Sequence, residues 1–145
     1  MAIKEDYVSY EFAKKLKECG FDEPCDKWIA SKSFSYYDAD ECCDHNAVIK
    51  KGWFISQKNK ERYDQDALPY LTLWQAQKLL REKKKIDVLV YNCTCGYLWE
   101  VSKANNGTGL ISFDEKGDDK DSGCWTTYEA ALSAGITAAL ELIEQ

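Results

Sequence analysis

Histidine is nearly missing from this sequence, and several common catalytic signatures are missing altogether. His45 is the only histidine, so any Ser-His-Asp or Cys-His scheme would have to use it. The chain contains no G-x-S-x-G nucleophile elbow, no P-loop and no G-x-G-x-x-G turn. At the level of motif, these absences argue against the commonest hydrolase and nucleotide-binding sites.

Long apolar runs are also lacking. No stretch approaches the roughly 20 residues that span a bilayer, and the start from Met1 to Asp6 has no apolar core of the kind a signal peptide carries. The formal net charge of −6 repels phosphate backbones and anionic membrane surfaces. We therefore expect a cytoplasmic protein whose partners include neither nucleic acid nor membrane.

The composition itself is that of an ordinary globular protein. Hydrophobic residues make up 45% of the 145 residues and charged residues 30%, which is unlike the low hydrophobicity of disordered chains. A chain of this length can bury a sizeable core within one domain. We predict a single α+β domain over residues 1–145.

Cysteine is the residue type that most invites a chemical interpretation. Seven cysteines are an odd number, and without a signal for secretion we expect reduced thiols, several of them buried. Cys42, Cys43 and His45 form one cluster, and Cys93 and Cys95 form another. Neither cluster has the two-residue gap of a zinc knuckle. A zinc site or a Cys-His dyad is therefore the alternative hypothesis. The leading hypothesis is a protein that binds no metal and no cofactor.

Three helices are signalled by capping residues and helical spacing of apolar residues. We predict them near residues 9–19, with Ser9 as N-cap, near 72–84, with a Thr72 capping box, and near 127–143, with a capping box at Thr126. Alternating residues over 86–92 and 97–103 predict an antiparallel hairpin. The expected fold is a small antiparallel sheet that contains this hairpin and is covered by the three helices.

The segment from Cys25 to Asp66 is harder to interpret. Short apolar clusters predict short strands around Trp28, around Phe34 to Tyr37, over residues 47–49 and over residues 53–55. The polar stretch from Gln57 to Asp66 predicts a long surface loop. A third strand is expected over residues 110–113, followed by an acidic loop from Asp114 to Gly123.

Several stretches of the sequence resemble a known group of proteins. They are Tyr7 to Glu11, Lys17 to Cys25, Thr72 to Glu82, the hairpin, and Thr127 to Ala131. Over most of its length the chain is thereby similar to small proteins of gut Bacteroidetes and their phages that have no assigned activity. The resemblance implies that the protein belongs to a gut bacterium or its phage, and it identifies no catalytic residue in this chain.

Aromatic residues are the remaining signal, because they make up 13% of the chain. Rings with one polar edge suit the recognition of planar ligands or protein partners. We place the candidate binding site at the hairpin turn and at the start of the last helix, where loops are presented by a rigid scaffold. Its residues are Cys93, Cys95, Gly96, Tyr97, Trp99, Trp125 and Thr126. The alternative is that Trp99 and Trp125 only close the end of the core.

The expected function follows from the abundant aromatic residues and the missing catalytic set. We expect a non-enzymatic binding protein, in the setting of a phage or mobile-element accessory factor, that captures a small molecule or a host protein. The alternative is a small enzyme or zinc-binding protein built on Cys42, Cys43 and His45 with Cys93 and Cys95.

Overall fold

Helices and strands alternate irregularly along the chain, as the α+β class predicts. The computed structural model describes residues 6–30, 43–49, 52–63, 65–112 and 125–144. The elements are α1 (Tyr10–Glu18), β1 (Lys27–Ile29), β2 (Cys43–Ile49), β3 (Gly52–Ser56), α2 (Gln57–Tyr63), β4 (Leu68–Pro69), α3 (Leu73–Lys84), β5 (Ile86–Cys93), β6 (Gly96–Lys103), β7 (Gly109–Ser112) and α4 (Tyr128–Glu144). The predicted fold class and all three predicted helices are confirmed.

The chain divides into two compact units, each with its own antiparallel sheet. The first unit comprises Met1–Val8 with Thr72–Gln145, and the second unit comprises Ser9–Leu71. The sheet of the first unit has the strand order β5-β6-β7, and that of the second unit has the order β2-β3-β1-β4. The prediction of one domain over residues 1–145 stays a prediction.

In the second unit, α1 begins and ends as its sequence predicts. The hydroxyl of Ser9 accepts a 3.1 Å hydrogen bond from the backbone N–H of Phe12, which satisfies one unpaired donor of the first turn. Gly20 has φ 86°, a left-handed conformation that favours glycine after a helix end. The N–H of Phe21 then donates to the carbonyl of Leu16 at 3.2 Å. Helix α1 contacts β4 of the same unit.

The predicted short strands of this unit form where the structure describes them. β2 and β3 are an antiparallel pair with Ile49 opposite Gly52, and β1 lies between β3 and β4. Trp28 and Ile29 of β1 are buried in the core. The expected strand around Phe34 to Tyr37 lies outside the described residues.

The predicted surface loop from Gln57 to Asp66 is wrong over its first seven residues, which form helix α2. The hydroxyl of Ser56 accepts a hydrogen bond from the N–H of Asn59, and the side chain of Gln57 donates to Glu61 one turn later. Gln57 also accepts a 2.7 Å hydrogen bond from the indole of Trp28. These polar contacts stabilise a helix that has no apolar stripe, which is why hydrophobic periodicity missed it.

In the first unit, α3 starts with the predicted capping box. Thr72 Oγ1 accepts from the N–H of Gln75 at 3.1 Å, and Gln75 Oε1 accepts from the N–H of Thr72 at 2.9 Å. Leu73, Ala76 and Leu80 are buried along one side of the helix. The helix therefore packs through the stripe that its sequence predicts.

The predicted hairpin is confirmed with an unbroken register. β5 and β6 pair from Ile86 opposite Lys103 to Cys93 opposite Gly96. The third strand is confirmed as β7, which pairs with β6 on its other side. Phe113 and the acidic loop from Asp114 to Gly123 lie outside the described residues.

Helix α4 lies against the sheet of the first unit through both β5 and β6. Leu132, Ile136 and Leu140, which recur at the helical spacing of the sequence, are at most 1% exposed, so the helix packs through an apolar stripe. The predicted N-cap at Thr126 is wrong by one residue, since Thr127 Oγ1 accepts from the N–H of Ala130 at 3.1 Å. Because α4 begins at Tyr128, Thr127 and not Thr126 is the residue immediately before the first turn, where an N-cap stands.

Candidate functional site

The hairpin turn is the first part of the candidate site. Because Cys93 pairs with Gly96, only Thr94 and Cys95 connect the two strands. Gly96 has φ 140°, a conformation that L side chains rarely adopt and that glycine adopts freely. The chain can therefore reverse directly after Cys95 and keep the pairing intact up to the turn.

The turn brings two sulfur atoms together. The Sγ atoms of Cys93 and Cys95 are 3.3 Å apart. Cys95 is disulfide-bonded, whereas Cys93 carries a thiol. The expectation of reduced cysteines is therefore wrong at Cys95. That expectation came from the expected cell compartment of the chain, which does not indicate which sulfurs the fold brings together.

Trp125 is joined to the edge of the turn by the backbone. Tyr97 and Trp125 form an antiparallel β-bridge in which each N–H donates to the other carbonyl at 2.9 Å. This bridge fixes Trp125 beside the second residue of β6, although 28 positions separate the two residues in the sequence. The start of α4 is thereby held at the turn end of the sheet.

Five aromatic residues around this bridge form two clusters of rings, which only the backbone bridge joins and which we together call the aromatic row. The ring of Trp74 stacks on Tyr128 with centroids 5.8 Å apart, and Tyr128 meets Tyr97 edge to face at 5.9 Å. Trp125 in turn lies 6.3 Å from Trp99. These separations are in the range of favourable aromatic pairs. Trp74 is 49% exposed, so one end of the row is open to solvent.

Trp99 forms the inner end of the aromatic row. It is only 3% exposed, and its Cβ would lie 3.1 Å from a Cβ placed on Gly135 of α4. Its indole Nε1 is buried and has no hydrogen-bond partner in the described part of the chain. A buried donor without a partner costs roughly 1 to 3 kcal/mol. Trp99 is therefore a core residue with one unused polar group.

The structure brings most of the predicted site residues together. Cys93, Cys95 and Gly96 form the turn, and Tyr97 leads through the backbone bridge to Trp125. Trp99 contacts Trp125 from the core, so the alternative that it closes the core is correct for Trp99. Thr126 is exposed and, because Thr127 is the N-cap, it makes no capping contact with α4.

Sequence reasoning missed Trp74 and Tyr128, which connect the row to solvent. Trp74 lies in α3 next to Leu73, away from the stripe of Leu73, Ala76 and Leu80. A tryptophan off the apolar stripe of a capped helix is a usable signal for an exposed ring. The sequence around Tyr128 gives no comparable signal, because the rings that contact it, Trp74 and Tyr97, belong to α3 and β6.

The alternative site on Cys42, Cys43 and His45 is described only in part. Cys43 and His45 lie two positions apart in β2, and Cys42 lies outside the described residues. Among the described residues, no group of three or more His, Cys, Asp or Glu side chains is arranged to hold a metal ion. The geometry therefore adds no support for this alternative.

Comparison with known proteins assigns this chain to no family. No protein-family model, curated protein or solved structure matches this chain. The resemblance to small proteins of gut Bacteroidetes and phages accordingly stays a prediction. Within the residues that the structure describes, no helix has both the length and the apolar character that crossing a membrane requires.

Proposed function

We propose that this chain is a non-enzymatic binding protein whose first unit captures a small planar ligand through the aromatic row. The observation that carries the proposal is the buried Nε1 of Trp99, which has no hydrogen-bond partner among the described residues. A ligand with a hydrogen-bond acceptor would satisfy this donor and recover its desolvation cost. The binding free energy would then depend on one acceptor atom as well as on ring contact.

The outer end of the row supports the same proposal. Trp74 presents a half-exposed indole that is held in place by stacking on Tyr128. A ring fixed in this way loses little conformational entropy when a ligand stacks on it. Trp125 is half-buried, and its ring lies 6.3 Å from that of Trp99. The proposal requires that a movement of side chains near Trp99, such as that of Trp125, admits the ligand to Nε1.

The charge of the protein narrows the ligand class. A net charge of −6 disfavours anionic ligands through long-range repulsion. We therefore propose a neutral planar aromatic ligand that carries a carbonyl acceptor. From the resemblance alone, we also propose that the protein has an accessory role in a phage or mobile element. A host protein is the other proposed partner, and the exposed ring of Trp74 would suit contact with a protein surface.

Calorimetric titration with 2-naphthamide tests the proposal, because this probe is neutral, planar and carries one carbonyl. Trp74→Ala is expected to raise the Kd about 3- to 10-fold, as expected for the loss of one aromatic contact. Tyr91→Ala is the control, since Tyr91 is a similarly exposed aromatic residue, at 44%, and is not one of the five residues of the aromatic row. Equal affinity of wild type and Trp74→Ala, or no binding by the folded wild type, would refute the proposal.

A further inference from the structure

Strand β5 lies at an edge of the three-stranded sheet of the first unit. Tyr97 exchanges both backbone hydrogen bonds with Trp125, on the side of β6 away from β5, so Tyr97 and its partner Asn92 form a non-hydrogen-bonded pair. The N–H and C=O of Asn92 therefore point away from β6. Because this direction alternates along an antiparallel strand, the same groups of Val90 and Val88 also point outward.

The two halves of this edge differ in what their backbone groups contact. The side chain of Gln77 in α3 donates a 2.8 Å hydrogen bond to the carbonyl of Val88, in agreement with its outward direction. Farther along β5, the outward N–H and C=O groups of Val90 and Asn92 have no hydrogen-bond partner in the described part of the chain. Asn92 is exposed and Val90 is half-buried. Unpaired backbone groups at a sheet edge are a template for another strand.

The second half of β5 has none of the features that usually keep two sheet edges apart. From Val88 to Cys93 the strand contains no charged residue, proline or glycine, and its pairing with β6 runs without a bulge. Leu89 and Tyr91 are each 44% exposed and project from the face opposite to that of the buried Val88. This part of the edge therefore combines unpaired backbone groups with two exposed apolar side chains.

We propose that β5 of a second copy of this chain pairs antiparallel with this edge and joins the two sheets into one. The two-fold axis passes between the two Tyr91 residues, so that Val90 of each copy lies opposite Asn92 of the other. In this register every unpaired N–H of these residues meets a C=O of the partner strand. The hydrogen bond from Gln77 to Val88 is kept.

The side chains of β5 suit a second copy in this register. The two Tyr91 side chains lie opposite each other with Cβ atoms about 4.5 to 5.5 Å apart, and Leu89 is the diagonal neighbour of the partner's Tyr91. Asp87, the one charged residue of β5, lies four positions from the axis, so the pairing brings no like charges together. A contact of this kind, in which both copies use the same surface, requires such self-complementarity.

Sedimentation equilibrium of the full-length protein tests the proposal independently of ligand capture. The weight-average mass should rise with protein concentration up to about 1 mM towards that of two chains, because a small interface gives a weak dimer. Any covalent dimer formed through cysteine is identified by non-reducing electrophoresis and removed beforehand. The amide protons of Val90 and Asn92 should also exchange with solvent more slowly at high protein concentration.

Variants of the strand distinguish this edge from the rest of the sheet. Tyr91→Lys places two like charges opposite each other and should raise the Kd of the dimer at least about 10-fold. Asn92→Pro removes one outward N–H, keeps the pairing of β5 with β6, and should act in the same direction. Leu110→Lys is the matched control, since Leu110 is 37% exposed on β7 at the other edge, and should leave the Kd within about 2-fold.

Thermal unfolding of each variant establishes that it is folded. A wild-type mass that stays at one chain at every concentration would overturn the proposal and leave the edge to an extended segment of another protein. Equal weakening by Tyr91→Lys and Leu110→Lys would also overturn it, and so would an unchanged Kd in folded Tyr91→Lys and Asn92→Pro.

Discussion

Gly135 of α4 lies directly against Val88 of β5. A Cβ placed on Gly135 would be 2.7 Å from Cγ1 of Val88 and 3.1 Å from Cβ of Trp99. Carbon atoms in protein cores pack at about 3.5 to 4.0 Å, so no side chain fits without movement. The absence of a side chain at this position is what allows the helix to approach the sheet and bury Trp99.

Gly135→Ala is expected to destabilise the protein by about 1 to 2 kcal/mol. Overpacking costs roughly 1 to 3 kcal/mol, and the better helix propensity of alanine offsets up to about 1 kcal/mol. Urea unfolding measures the difference. In a double-mutant cycle, Val88→Ala should relieve part of the clash, so the two changes should not be additive. Strict additivity would show that the two residues do not meet.

Replacing Trp99 tests its place in the core. Trp99→Leu should lower the free energy of unfolding by roughly 2 to 3 kcal/mol, because it removes buried volume. Trp99→Phe should cost clearly less than Trp99→Leu, because both remove the buried indole N–H that has no partner among the described residues, whereas phenylalanine keeps more of the buried ring. Chemical denaturation of both variants gives the comparison. Equal losses would mean that the aromatic ring retained by phenylalanine adds nothing to the packing of the core.

The two threonines before α4 should differ in their effect on stability. Thr127→Ala should cost about 1 kcal/mol, because it removes the hydroxyl that accepts from the N–H of Ala130. Thr126→Ala should change the free energy of unfolding by less than about 0.5 kcal/mol, as an exposed residue without a cap usually does. Thermal unfolding of the two variants measures both losses of stability. A larger loss for Thr126→Ala than for Thr127→Ala would show that Thr126 is the N-cap.

Cys25 should make the second unit less stable at alkaline pH. Burial raises the pKa of its thiol to about 11, and the thiol donates to the carbonyl of Lys27 at 3.2 Å. The unfolded chain loses this proton at lower pH than the folded chain, so the free energy of unfolding falls as the pH rises from about 9 towards about 11.

The loss attributable to Cys25 should be roughly 1 to 2 kcal/mol after allowance for partial contact with solvent. Urea unfolding of wild type and Cys25→Ala across this pH range separates the contribution of Cys25 to the free energy of unfolding from those of the other titrating groups. The two stability curves should converge as the pH rises. Parallel curves would show that the thiol ionises equally well in the folded and unfolded chains.

Local signals were enough to predict much of the fold. Ser9 and Thr72 cap their helices as expected, and the alternation of β5 and β6 gives the hairpin with its register. These features depend on residues that are close in sequence. Helix α2 was missed because it is stabilised by polar contacts such as that between Gln57 and Trp28, whose positions no periodicity reveals.

The candidate site was predictable only in part, for the same reason. The turn residues and Tyr97 follow from the hairpin, but the bridge from Tyr97 to Trp125 spans a long segment of chain. The stacking of Trp74 on Tyr128 depends on how two helices pack, and sequence spacing contains no such information. The nearness of Trp99 to Gly135 likewise emerges only when α4 is placed on the sheet.

The most direct measurement of ligand capture is a nuclear magnetic resonance titration of the tryptophan indole N–H signals. Comparison with Trp99→Phe assigns the signal of Trp99 by its disappearance. Addition of 2-naphthamide should move this signal downfield as its carbonyl accepts from Nε1, whereas naphthalene, which has no acceptor, should not. A Trp99 signal that stays in place at saturating 2-naphthamide, or that moves equally with naphthalene, would contradict the account.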